Sequence, residues 1–222
     1  MSIGIIVGMR SEADLLKPGP MIACSGGRPE KAGDLADYML KAGAEALVSF
    51  GVAGGLDPAL EPGDLVIGTE VDLGGASLKA DGAWIKRLSN VLPQARTGIV
   101  CGAQVAALTP AAKASLHAES GGLVIDLESG AVAEACAARG VPFAILRAVA
   151  DPADRAIPEF ALQGLAEDGR TQALPVIRGL LGRPWALPAL LGLARDNRAA
   201  LRGLEAAARQ LGPTLAWEYF KL

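Results

Sequence analysis

Seven short apolar runs, at 3–7, 21–24, 46–50, 65–67, 98–101, 123–125 and 143–149, recur along the chain, most with room for a helix between them. Each is too short for a buried helix and is bounded on at least one side by Gly, Pro or Asp, so the runs read as strands buried on both faces. Helical patterns fall between and after them, at 29–41, 110–118, 129–139 closed by Gly140, and over much of 174–211 with breaks at Pro184 and Pro188. This order predicts an α/β fold in a single domain spanning 1–222. Its centre is a mixed, largely parallel β-sheet flanked by helices, and a helical C-terminal segment covers about 157–222. In such sheets ligands bind in the crevice outside the carboxyl ends of the strands.

Composition narrows the function classes. Of 222 residues, 51% are hydrophobic and 20% charged, against about 25% charged in ordinary globular chains, so a well-buried core is expected rather than disorder. The longest stretch without a charge, 97–112, has 16 residues, short of the ~20 that a spanning helix needs. The opening SIGIIVG lacks a preceding basic segment and continues into RSEADLL, unlike a secretory signal; the expectation is a cytoplasmic protein. Cys24, Cys101 and Cys136 are odd in number and widely spaced, supporting neither a disulfide framework nor a zinc site. His117 is the only histidine, which argues against an imidazole-built metal centre or a His-dependent triad. A net charge of −3 without a basic block lacks the footprint of a nucleic-acid binder. The expectation is a protein of small-molecule chemistry with no metal and no organic cofactor.

Glu12, Glu128 and Asp151 each follow an apolar run and open a helix or loop, positions that converge at one end of an α/β sheet. The positive end of a helix also favours an acid in its first turn, so a structural and a catalytic role both stay open. Asp126, two residues before Glu128, is read as structural. The segment GVAGGLDPALEPGD, 51–64, would let backbone N–H groups approach a ligand closely. It is neither GxGxxG nor a P-loop. ACSGG around Ser25 likewise lacks the first glycine of a GxSxG elbow.

Three ordered blocks carry a resemblance: IGIIVGMRSE, SFGVAGGLDPALEPGDLVIG and VIDLESGAVAEACAARGVPFAILRAVADPAD. Together, over roughly residues 3–154, they resemble the nucleoside phosphorylase and methylthioadenosine/adenosylhomocysteine nucleosidase superfamily. The resemblance implies a nucleoside phosphorylase-like fold, a homodimer, and cleavage of a purine ribosyl N-glycosidic bond. It places Asp151 as the aspartate that protonates the purine at N7 and Glu12 as the base that activates water. Glu128 becomes the ligand of the ribose hydroxyls and Arg147 the arginine near the nucleophile, with Gly54, Leu127 and Val105 as further substrate-binding positions. Leu127 stands where the family usually has Met, Val52 where nucleosidases place Ser, and Val105 where an aromatic often stacks on adenine.

Further on, DPADRAIPEFALQGLAEDGRTQALPVIRGLL and LPALLGLARDNRAALRGL resemble the hopanoid-associated phosphorylase (HpnG-type) branch. This second resemblance implies adenosylhopane as substrate, a nucleoside joined to a lipid. Phosphate enters as a possible co-substrate, with Arg10, Arg147 and the Gly51 turn as anion contacts. A hopane skeleton would need an apolar groove or a peripheral membrane contact, and WALPALLGLA at 185–194, between Arg183 and Arg195, is the candidate wall. Alternatives are a methylthioadenosine/adenosylhomocysteine-type nucleosidase and a catalytically silent nucleoside-binding protein.

Overall fold

The computed structural model describes residues 2–217. Its strands are β1 (Ile3–Val7), β2 (Met21–Cys24), β3 (Ala46–Gly55), β4 (Leu65–Asp72), β5 (Ser77–Lys79), β6 (Arg96–Gly102), β7 (Val124–Asp126) and β8 (Phe143–Asp151). Its helices are α1 (Arg10–Ala13), α2 (Pro29–Lys41), α3 (Gly82–Val91), α4 (Pro110–Ser120), α5 (Ser129–Ala137), α6 (Ala173–Leu181) and α7 (Leu187–Leu211), with 3₁₀ turns at Glu159–Gly164 and Pro184–Ala186. All seven apolar runs lie in or overlap strands. The structure adds β5, α1 and α3, which the pattern of runs leaves out. α3 starts where Asp81 accepts a hydrogen bond from the Trp84 amide (2.7 Å), and it buries Trp84 and Leu88 one turn apart.

The sheet is mixed. β1 pairs in parallel with β2 and β3, β3 with β8, and β4 with β6, which in turn pairs in parallel with β7. β3–β7, β4–β5 and β4–β8 are antiparallel. Because β8 pairs with both β3 and β4, the strands β3, β8, β4, β6 and β7 close into a ring. Gly54 joins the ring's ends: it is in register with Ile125 of β7 on one side and, after a register shift, with Asp151 of β8 on the other. Ring closure thus carries the end of β8 to the tip of β3.

Two apolar layers cover the sheet. One packs Val48, Phe50, Leu146 and Ala148 against α7 residues Ala200, Leu204, Ala207 and Leu211. The other packs Leu47, Val66, Val100 and Ile145 against α2 and α5 residues such as Ala32, Met39, Val132 and Cys136. At roughly 1.5–3 kcal/mol per buried large aliphatic side chain, α7 is firmly anchored, whereas α6 buries no residue at all. Pro184 does end the preceding helical run, but Pro188 lies in the first turn of α7 and breaks nothing. A proline has no amide hydrogen to lose there, because first-turn amides lack an intrahelical partner. The last part of the helical segment expected at 157–222, residues 218–222, lies outside the described residues.

Candidate active site

A cleft of about 200 Å³ opens at the carboxyl ends of β1, β3, β7 and β8. Glu12, Gly54, Leu127, Glu128 and Asp151 all line it. Four lining side chains are acidic, counting Asp126, and none is basic; Ile125, Ile157, Leu162 and Leu165 supply much of the apolar wall.

Glu12 enters from the short helix α1 just beyond β1 and is fully buried. Its Oε2 accepts hydrogen bonds from the amides of Gly8 (2.8 Å) and Met9 (2.7 Å), and its Oε1 accepts one from the amide of Val52 (2.8 Å). A carboxylate offers about four acceptor sites, so three are occupied and one remains on Oε1. Burial raises the Glu12 pKa above the ordinary carboxylate value, opposed by the Val52 amide, the Arg147 charge and the two other amides. Gly51 allows this arrangement. A Cβ there would lie 2.7 Å from both Arg147 Nη1 and Glu12 Oε1.

Glu128 caps α5, with Oε1 accepting from Ser25 Oγ (3.3 Å) and Oε2 facing Arg147 Nη2 (3.3 Å). Burial pushes its pKa up to about 7; Arg147 opposes the rise, and Asp126 and Glu12 add to it. Arg147, projecting from β8, is completely buried behind the cleft rather than lining it. Its Nε lies 2.7 Å from Asp126 Oδ2, and its Nη2 donates to Ser49 Oγ (2.5 Å) and Ser129 Oγ (3.2 Å). Burial alone would lower the Arg147 pKa, yet the carboxylates of Asp126, Glu128 and Glu12 leave it raised.

Asp151 lines the cleft from the end of β8. A Cβ at Gly54 would come within 3.2 Å of its Oδ2, so glycine there leaves the carboxyl room at the strand junction. Its partner is Lys113 of α4, whose buried ammonium donates to Asp151 Oδ2 (2.5 Å) and to the carbonyls of Pro152 (2.8 Å), Arg155 (3.2 Å) and Asp151 (3.3 Å). Burial lifts the Asp151 pKa to about 6 even though Lys113 pulls it down by charge and hydrogen bond.

Val105 sits apart, 76% exposed, in a neighbouring groove of about 820 Å³ that meets the cleft at Ala106, Ala107 and Ile125. Asp126, read from the sequence as structural, holds Arg147 and the first turn of α5 and also borders the cleft. β7 ends at this residue, which together with Glu128 faces Arg147. Asp126 Oδ1 also accepts from the amides of Glu128 (3.0 Å) and Ser129 (2.7 Å), which fixes the start of α5.

Sequence reasoning missed Lys113, Ser49 and Ser129. Lys113 had one available signal: it falls in the first turn of a helix opened by Pro110, where a cation has the wrong sign for the helix dipole. The two serines carry no such mark.

With this geometry in place, comparison with known families is decisive. Residues 15–181 match the model of a family described as the phosphorylase superfamily. The chain belongs to the phosphorylase superfamily. Membership places it among enzymes that cleave N-glycosidic bonds. Solved structures agree on the fold. The 5′-methylthioadenosine/S-adenosylhomocysteine nucleosidase of Neisseria meningitidis is 18% identical with a TM-score of 0.65, covering 92% of this chain and 98% of its own. The MTA/SAH nucleosidase of Streptococcus pneumoniae, solved with 8-aminoadenine, is 18% identical with a TM-score of 0.65, covering 80% of this chain and 97% of its own. Futalosine hydrolase of Helicobacter pylori is 18% identical with a TM-score of 0.61, covering 68% of this chain and 88% of its own. This phosphorylase-superfamily member thus has the single-domain α/β, nucleoside phosphorylase-like fold, with its mixed sheet flanked by helices.

Proposed function

We propose that the protein hydrolyses the N-glycosidic bond of a purine nucleoside carrying a large apolar 5′ substituent, with adenosylhopane as the substrate. The observation that carries the hydrolytic reading is the make-up of the cleft: four acidic side chains line it and no Lys or Arg does. Phosphate, itself an anion, needs cationic or amide partners, and here the amides of Gly8, Met9 and Val52 already donate to Glu12. Water needs only a base.

In this mechanism the bond from the sugar carbon to the purine nitrogen breaks with its electron pair moving onto the base, while Asp151 delivers a proton to the purine. The oxocarbenium-like sugar is stabilised by the neighbouring carboxylates. Water forms the new C–O bond and gives its proton to the remaining acceptor site of Glu12. Glu128 accepts hydrogen bonds from the ribose hydroxyls, and Arg147 holds Glu128 in place from behind. No organic cofactor or metal takes part, and a homodimer is part of the reading.

Support for a lipid-linked substrate comes from Ile157, Leu162 and Leu165 in the cleft wall. The modest volume of the cleft favours a second reading, a methylthioadenosine/adenosylhomocysteine-type nucleosidase. Incubation with adenosylhopane and with methylthioadenosine, each with and without phosphate, followed by mass analysis, tests both. Adenine with ribosylhopane, at a rate indifferent to phosphate, is expected. A phosphoribosyl product would overturn hydrolysis, turnover of methylthioadenosine alone would overturn the lipid substrate, and no release from either would leave a silent binding protein.

Two further outcomes follow from the carboxylates. Glu128→Gln removes a charged acceptor, and hydrogen bonds to charged groups contribute about 1.5–3 kcal/mol, so kcat/KM should fall roughly ten- to over a hundredfold. A 2′-deoxy substrate should lose activity with the wild type but little more with the variant; equal losses with both would remove Glu128 from the ribose. A proton donor works only when protonated, so kcat/KM should fall as pH rises through about 6, where Asp151 ionises. Because Lys113 favours the ionised form, Lys113→Met should move this alkaline limb to higher pH. A limb that stays in place in a folded variant would show that Asp151 is not the titrating donor.

A further inference from the structure

We propose that the face formed by α6, the 184–186 turn and the start of α7 docks on an anionic lipid bilayer. Of the nine large hydrophobic side chains exposed on the described residues, seven fall in the single stretch 162–191. Leu174, Ile177 and Leu181 recur at helical spacing along one side of α6, and Leu187 and Leu191 do so at the start of α7, with Trp185 between them. Leu181 is 78% exposed and Trp185 75%. The opposite side of α6 is occupied: a Cβ at Gly179 would meet the Phe160 ring at 2.5 Å, and one at Gly164 would meet Val176 at 2.7 Å. α6 therefore lies on the 159–164 turn, whose Leu162 lines the cleft, and turns its apolar side outward.

Charge selects the occupant. Between residues 169 and 195 the chain has Arg170, Arg178, Arg183 and Arg195 and no Asp or Glu, in a protein of net charge −3. Among the described residues, only Arg170 and Arg195 of these four approach a carboxylate, those of Asp168 and Asp196, each at 3.4 Å. A second copy docking on the same face by two-fold symmetry would set these arginines against each other. An anionic headgroup layer complements them, and an indole at its edge suits the interface. No helix among the described residues is long and apolar enough to cross a membrane, so the segment would lie in the plane of the interface. The inference does not depend on the identity of the substrate.

Trp185 supplies a direct probe, because Trp84 and Trp217 are buried. Flotation with vesicles of phosphatidylcholine, with and without phosphatidylglycerol, should recover the full-length protein only with the anionic vesicles and shift its tryptophan emission to the blue. Arg178→Gln should weaken binding about fivefold, and Leu181→Asp should abolish it. Release of adenine from a water-soluble nucleoside should stay unchanged in both variants, so failure of docking and failure of the catalytic reading are separately visible. Absence of binding to anionic vesicles at low salt would overturn the proposal. So would light scattering that shows a dimer dissolved by Leu181→Asp, which would assign the face to a second copy.

Discussion

Asp151→Asn is expected to slow adenine release by roughly 10²- to 10⁴-fold, the contribution of a positioned general acid, without unfolding the protein. Asn matches the carboxyl in size and can still accept the hydrogen bond from Lys113. It cannot hand over a proton and keep its chemical identity. The Lys113 ammonium would retain the carbonyls of Asp151, Pro152 and Arg155, so the β8 terminus has reason to stay where it is. The check is kcat/KM beside thermal unfolding of both proteins. A folded variant with near-wild-type turnover would remove Asp151 from the chemistry. A leaving group that needs no protonation separates this role from mere positioning. With such a substrate the loss should shrink, whereas a displaced site would lose activity on every substrate alike.

The residues that converge here differ in how far they could be read beforehand. Glu12, Glu128 and Asp151 were legible because each ends an apolar run, and the carboxyl ends of neighbouring strands must meet at one edge of the sheet. Ring closure was not legible. It depends on β3 running on to Gly55 and pairing at its tip with two strands, β7 and β8, that are distant in sequence. Asp126 holds Arg147 and the first amides of α5, a structural role, but its place on the cleft comes from the tertiary arrangement, which no periodicity shows. Lys113 reaches Asp151 across 38 residues, and pairing at such range leaves only the oddity of a cation in a first helical turn. The exposure of α6 was also hidden. ALPVIRGLL has the composition of a core helix, and only the tertiary arrangement shows that its apolar side faces outward.

The cluster behind the cleft leads to the largest expected effect on stability, that of Arg147→Met. Met approximates the length of the stem but removes the charge, leaving Asp126 and Glu128 buried without the guanidinium that lies 2.7 Å and 3.3 Å from them. Removing one partner of a buried ion pair costs about 3–5 kcal/mol, and at about 2–4 °C per kcal/mol for a chain of this size the melting temperature should fall by roughly 6–20 °C. The deficit should depend on pH with a definite sign. Burial has already raised Glu128 to about 7 from the 4.5 of an ordinary Glu, so its ionised form costs stability, and that cost grows as pH rises between these values and is complete above the folded one. Without Arg147 the folded value moves higher, so the variant should trail the wild type more at pH 8 than at pH 5. Asp126→Asn added to Arg147→Met should recover part of the loss, because it removes one of the stranded charges. Denaturant unfolding of the three proteins at both pH values is the measurement. A single variant within about 1 kcal/mol of the wild type at both pH values would mean that Arg147 does not hold this charge cluster together, and its place behind Glu128 would need another explanation.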